Sequence, residues 1–161
     1  MALKARVGLG YDAHRLVRGR PLYLGGVKIP HPEGLDGHSD ADVILHAMVD
    51  ALLGAAGLPD IGTYFSNQDP RWKNVSGLVF LREVRRLLSQ KKARIVNIDS
   101  VLLCEEPKIS PYISRMKAGI AKALGIPVSA VAVKASTNEG LGFVGKKQGM
   151  ACHAVALVEE K

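Results

Sequence analysis

Asp12 and His14 stand one residue apart in a stretch whose apolar residues Ala5, Val7, Leu9 and Tyr11 occupy alternate positions. A strand of that period puts the carboxylate and the imidazole on one face, where the two can chelate a metal. A lone Asp-x-His serves equally well in a hydrogen-bonded surface turn. Further along, Asp42, His46 and Asp50 recur at i, i+4 and i+8 of an apolar run, the spacing of one side of a helix. His46 alone would be a wetted helix flank. With Asp12 and His14 it completes one carboxylate and two imidazoles, a borderline-soft set that suits zinc with an open fourth position. Three protein ligands mark a catalytic rather than a structural zinc. Asp42 or Asp50 is placed to orient a histidine ligand through its second ring nitrogen.

Two polar segments add to this set. Gly37, His38, Ser39 and Asp40 precede the same helix, whose free N–H groups and positive dipole end favour an anion such as phosphate. An ordinary N-cap explains the segment equally well. Lys134, Ala135, Ser136, Thr137, Asn138 and Glu139 leave an apolar stretch and run into Gly140, Leu141, Gly142 and Phe143. Hydroxyls followed by an acid can bind phosphate oxygens and hold a hard cation against them, and Glu139 suits magnesium or manganese better than zinc. A capping-type turn is the alternative.

These residues need elements to carry them. The alternation predicts a first strand over residues 4–14 and a second over 22–29, able to pair as a hairpin. Residues 31–39, with Pro32, Gly34 and Gly37, predict a loop, and residues 41–56 a helix capped by Ser39 or Asp40. Residues 57–77 hold Pro59, Gly62, Asn67 and Pro70 and predict a long loop of the kind that closes over ligands. Leu78, Leu81, Val84, Leu87 and Leu88 form an inward stripe on a helix over 78–90, opposite Arg82, Arg85 and Arg86 on its solvated face. Further strands are expected over 95–103, 131–135 and 150–158. A helix over 111–124 starts on Pro111 and closes at Gly125, and residues 140–149 form a glycine-rich turn. Strands and helices without strict alternation predict an α+β fold, a mixed β-sheet layered against α-helices, in a single domain over residues 1–161.

Composition narrows the partners. Twenty-two basic against fifteen acidic residues leave +7, which favours anionic ligands. Only 5% of the chain is aromatic and its cations are scattered, so a small anion is expected rather than nucleic acid. No apolar run is long enough for a membrane span or a leader, and Cys104 and Cys152 lack CxxC spacing. A cytoplasmic enzyme with two free thiols is the expectation.

Taken together, the motifs resemble the cyclodiphosphate synthases of the non-mevalonate isoprenoid pathway. The matching stretches are Gly10 to His14, Leu24 to Pro30, Gly37 to His46, Asp50 to Ala56, Asp60-Ile61-Gly62, Pro107-Lys108 and Lys134 to Phe143, in order along nearly the whole chain. The resemblance implies a homotrimer with active sites between neighbouring subunits. It also implies a lyase that converts 4-diphosphocytidyl-2-C-methyl-D-erythritol 2-phosphate to the 2,4-cyclodiphosphate and CMP. Asp12, His14 and His46 would bind zinc, and Glu139 magnesium or manganese. His38 and Thr137 would stabilise the transition state, and Ser39 would contact the substrate.

By the same resemblance Asp60, Ile61 and Gly62 would meet the ribose. The loop of Phe65, Ser66, Asn67, Gln68 and Asp69 would close over the methylerythritol. Cys104, Glu105, Glu106, Pro107, Lys108, Ile109 and Ser110 of the adjacent subunit would cradle the cytosine. Ala135, Ser136, Asn138, Phe143 and Lys146 would complete the contacts. Lys146 and His153 stand where the family often has arginine and, in some members, glutamate, near a cavity on the threefold axis. Ser66 and Asn67 replace proline and aspartate, and Asn138 replaces threonine. A zinc phosphohydrolase and a basic binding module are the competing readings of the same residues.

Overall fold

The computed structural model describes residues 4–160. Its main sheet has the order β4-β1-β7-β5-β6, formed by β1 (Lys4–Arg18), β4 (Glu33–Leu35), β5 (Ala93–Leu103), β6 (Val131–Ser136) and β7 (Gly149–Glu160). β7 runs antiparallel to β1 and β5, and β5 is parallel to β6, so β1, β5 and β6 point the same way. Helices α1 (Val43–Ala55), α3 (Gly77–Gln90) and α4 (Ile113–Leu124) cover one face, with the short α2 (Ile61–Tyr64) and α5 (Gly142–Gly145) at its margins. The mixed sheet against helices is the predicted α+β arrangement.

β1 presents Gly8, Gly10, Asp12 and His14 inward, while Val7 and Leu9 on the opposite face are 68% and 67% exposed. The inward glycines are a steric requirement. A Cβ on Gly8 would lie 1.9 Å from the Ala51 carbonyl oxygen, and one on Gly10 1.8 Å from that of Ala47. Ala47, Ala51 and Ala55 recur at i, i+4 and i+8 and give α1 a small-residue face that docks backbone to backbone on β1. α1 is buried on nearly every side, between the sheet and α3, which explains its apolar character all round. α3 is two-faced: Phe80, Leu81, Val84 and Leu88 are buried, and Arg82, Arg85 and Arg86 are exposed.

Four local expectations are corrected. Residues 22–29 form two short strands, β2 (Leu22–Leu24) and β3 (Val27–Ile29), that pair with each other through Gly25 and Gly26, both at positive φ, rather than with β1. The loop over 31–39 contains β4, which pairs with β1 instead. The cap of α1 is Asp42, not Ser39 or Asp40: it accepts from Leu45 N at 3.2 Å and from Gly25 N and Gly26 N at 2.9 and 2.7 Å. One fully buried carboxylate thus ties α1 to the β2–β3 turn, serving three amides at once. The long segment over 57–77 holds α2 and a 3-10 turn at Pro70–Trp72.

Gly10→Ala is expected to destabilise the protein by about 3 kcal/mol or more, since neither β1 nor α1 can yield without separating. At Gly54, also on α1, a Cβ meets nothing closer than 4.0 Å. Gly54→Ala is expected to stabilise by roughly 0.5–1 kcal/mol. Urea titrations of the two variants check both signs.

Candidate metal centre and substrate pocket

β1 brings Asp12 and His14 to the inner face of the sheet, and α1 lays His46 over them. Asp12 Oδ2 lies 2.9 Å from His14 Nε2 and 3.1 Å from His46 Nδ1, and those two nitrogens are 3.4 Å apart. Donors sharing a tetrahedral ion with bonds near 2.0–2.1 Å are separated by about 3.3 Å, so the three atoms fit around one ion. They are the one such cluster of histidine, cysteine and acidic side chains among the described residues.

The remaining ring nitrogens fix which atoms face inward. His14 Nδ1 donates to the Asp36 carbonyl at 2.6 Å, and His46 Nε2 is hydrogen-bonded to the Ser39 hydroxyl at 3.1 Å. These contacts orient both rings so that the other nitrogen of each faces Asp12. The predicted orienting role of Asp42 or Asp50 is corrected: Asp42 caps α1, and Asp50 Oδ1 accepts from Ile61 N at 2.7 Å, anchoring α2. Burial alone would raise the Asp12 pKa, but hydrogen bonds from His14 and His46 and their charges hold it far below the usual carboxylate range. Burial pulls His14 down, and its bond to Asp12, the Asp12 charge and the contacts with Asp36 together outweigh this and raise it. An anionic carboxylate beside two imidazoles is the electrostatic setting of a cation site.

The triad opens into a cavity of about 290 Å³ that is also lined by His38, Ser39, Asp50, Ile61, Gly62, Phe65, Asn67 and Phe80. His38 Nε2 donates to the Asp69 carbonyl at 3.0 Å, and Asp60 caps α2 by accepting from Thr63 N. Ser66 and Asp69 make local bonds, to Gln68 N and to Arg71, and do not line the cavity. Phe80 is absent from the predicted helix stripe. It stacks on Phe65 at 4.4 Å between centroids and stands 5.8 Å from His46. Its position one residue before Leu81 and four before Val84 is the signal that could have found it.

The other predicted site residues form a second group. Ala13, Ala151, Leu103 and Ser136 lie in one row across β1, β7, β5 and β6. Ser136 is therefore about 14 Å from the Asp12 end, by three strand spacings. Thr137 and Glu139 follow it, with the threonine hydroxyl 3.2 Å from the Glu139 carboxylate. Glu105 accepts from Asn138 N at 2.7 Å, joining the segment after β5 to the one after β6. Cys104, Glu105 and Glu106 line a separate cavity of about 110 Å³ with Val144 and Lys147. None of Cys104 to Ser110, Ala135 to Glu139, Phe143 or Lys146 lines the triad cavity. Phe143 instead lines a third cavity, beside Ala13, His14 and Gln148.

The chain is similar to known proteins over nearly its whole length. The model of the YgbB family matches residues 5–159. A 2-C-methyl-D-erythritol 2,4-cyclodiphosphate synthase of Syntrophomonas wolfei is 52% identical over 155 residues, 96% of this chain and 99% of the relative. Among solved structures, a Plasmodium falciparum IspF in complex with CDP superposes with a TM-score of 0.85 at 36% identity, covering 100% of this chain and 99% of that one. The bifunctional IspDF of Campylobacter jejuni gives a TM-score of 0.95 at 35% identity, with 99% of this chain covering 43% of that longer one.

Dialysis against zinc followed by elemental analysis is expected to find one ion per chain in the wild type. In Asp12→Asn and His46→Ala the same analysis is expected to find less than about a tenth of that, since a three-donor site keeps no ion when a donor is lost. Near-wild-type zinc in either variant would move the ion elsewhere.

Proposed function

The chain belongs to the YgbB family, and on that premise we propose that it converts 4-diphosphocytidyl-2-C-methyl-D-erythritol 2-phosphate to the 2,4-cyclodiphosphate with release of CMP, in the non-mevalonate route to isoprenoids. The observation that carries the reading is the convergence of Asp12, His14 and His46 at the mouth of a cavity shared with His38, Ile61 and Gly62. A carboxylate and two imidazoles with an open side suit zinc bound for catalysis.

In this reaction an oxygen of the 2-phosphate attacks the β-phosphorus. The bond from that phosphorus to the bridging oxygen breaks, and the electron pair leaves with CMP. The nucleophile is already an anion, so no strong base is required. The barrier lies in bringing two anions together and folding the chain into a ring. Asp12, His14 and His46 would hold zinc and Glu139 a magnesium or manganese ion, and these ions would offset phosphate charge and polarise phosphorus. His38 and the Thr137 hydroxyl donate to phosphate oxygens as charge builds there. Asp60 and Gly62 hold the ribose, the loop from Phe65 to Asp69 closes over the methylerythritol, and Cys104 to Ser110 holds the cytosine.

The two residue groups lie about 14 Å apart on one chain. The reading therefore places each active site between two copies in a homotrimer, with the triad from one and the segments after β5 and β6 from its neighbour. The helix-free sheet face supports this assembly: Val7, Leu9, Tyr11 and Val155 are apolar and open to solvent there. Residues 1–161 act as one domain. The reading places the enzyme in the cytoplasm; among the described residues no helix is long and apolar enough to cross a membrane.

Phosphorus NMR of the zinc- and magnesium-loaded enzyme with the diphosphocytidyl substrate is expected to show cyclic diphosphate and CMP. The cyclic product is expected to fall by at least about 1,000-fold in His46→Ala, the scale of losing a principal electrostatic group. An open-chain phosphate as the product would identify a hydrolase instead. Leu9→Glu on the open face is expected to give monomers in sedimentation velocity and to lose turnover while retaining the helical circular dichroism signal.

A further inference from the structure

Arg20 lies in the turn after β1, and no step of the reaction above uses it. Gly19 takes φ +80 there and swings the chain back. The backbone at Arg20 and Pro21 then passes so close to β4 that a Cβ on Gly34 would sit 2.4 Å from each of their carbonyl oxygens. That contact fixes where the Arg20 side chain begins. At its far end Nη2 donates to the Ser39 carbonyl at 2.9 Å, while Nε is sealed from solvent without a hydrogen-bond partner. A buried N–H without a partner is unfavourable, and the chain tolerates it where the other arm of the guanidinium reaches Ser39.

Ser39 is the one residue that lines both the triad cavity and a second cavity of about 350 Å³ bordered by Arg20, Tyr23 and Asn74. The hydroxyl meets His46 Nε2, and the carbonyl meets Arg20. The peptides on either side are fixed by the backbone ahead of α3: Asn74 N donates to the His38 carbonyl at 2.9 Å, and Asp40 N to the Val75 carbonyl at 3.1 Å. For the Ser39 carbonyl the corresponding tie is Arg20.

We propose that Arg20 is a positioning residue for the metal centre: by holding the Ser39 peptide it sets the serine hydroxyl against His46 and keeps Nδ1 of that ring turned toward Asp12 and His14. The proposal rests on the zinc reading above. It extends that reading to a residue that touches neither metal nor substrate. Arg20 acts through one peptide, so its effect is transmitted by Ser39.

Zinc affinity measured against a chromophoric chelator tests this without reference to turnover, with urea unfolding of each zinc-free protein as the control for folding. Arg20→Met and Arg20→Gln are expected to bind zinc about tenfold more weakly than wild type, the lower end for a lost orienting contact. Ser39→Ala is expected to lose at least as much. Arg20→Met added to Ser39→Ala is expected to cause no further loss, because the coupling runs through the deleted hydroxyl. Wild-type zinc affinity in either folded Arg20 variant overturns the proposal, as does a fully additive double variant. Failure of the wild type to bind zinc overturns the site reading itself, and this inference with it.

Discussion

The contact on which the rest of the molecule depends is the backbone-to-backbone approach of α1 to β1. Gly8 and Gly10 carry no side chain where the carbonyls of Ala51 and Ala47 come down, so the helix axis sits closer to the sheet than any larger residue would permit. Asp12 is two residues beyond Gly10 on the same face of β1, and His46 immediately precedes Ala47. The contact that seats the helix therefore also places His46 over Asp12 and His14. A helix and a strand held at ordinary packing distance would leave the imidazole out of reach. Because α1 is enclosed by the sheet and α3, it has no freedom to slide or turn, and the donors meet within 3.4 Å in the protein's own fold.

Around that contact, buried polar atoms are used as anchors. Asp42, enclosed in the core, accepts three amides. Burial and the neighbouring Asp40 carboxylate push its pKa upward, and the Gly26 and Gly25 amides work against the shift. Asp40 accepts from Gly77 N at 2.7 Å at the start of α3. The segment from Gly37 to Asp42 is thus pinned to α3, to the β2–β3 turn and to the turn after β1, and these bonds keep its hydroxyl and imidazole groups aimed. The aromatic group of Phe65, Trp72 and Phe80 gives the far wall of the cavity a packed backing, with ring centroids 4.4 to 5.7 Å apart.

How far the sequence was legible follows from which interactions are local. The triad could be read because Asp12 and His14 share a strand period and His46 stands on a strongly apolar helix, so types and spacing sufficed. The α3 stripe and the stop at Gly125, which takes φ +67, were legible for the same reason. The cap of α1 was not. Ser39, Asp40 and Asp42 are all good capping residues, and the choice among them was made by tertiary partners, Gly25, Gly26 and Gly77. The orienting partners of the histidines were misread for a related reason: a carbonyl at Asp36 has no side-chain signature. The β2–β3 hairpin was missed because a pair of three-residue strands is too short to show a period.

The sheet order has a consequence for how such a site can be completed. β1, β5 and β6 run in the same direction, so the segments that follow them leave from the same end of the sheet. The row from Ala13 to Ser136 keeps those segments level, yet β7 and β5 stand between them, and their separation is set by strand spacing rather than by loop length. The loop after β6 reaches the β1 side only at Phe143, beside Ala13 and His14, while Thr137 and Glu139 stay at its β6 end. On the proposed reading a second copy closes that gap, by bringing its own β5–β6 end to the first copy's β1. The face left free of helices is then part of the catalytic design: covering it with a further helix would satisfy Val7 and Leu9 but would strand Asp12 and Glu139 in separate half-sites. On that reading the apolar exposure on one side of the sheet and the cavity on the other are two expressions of one topology.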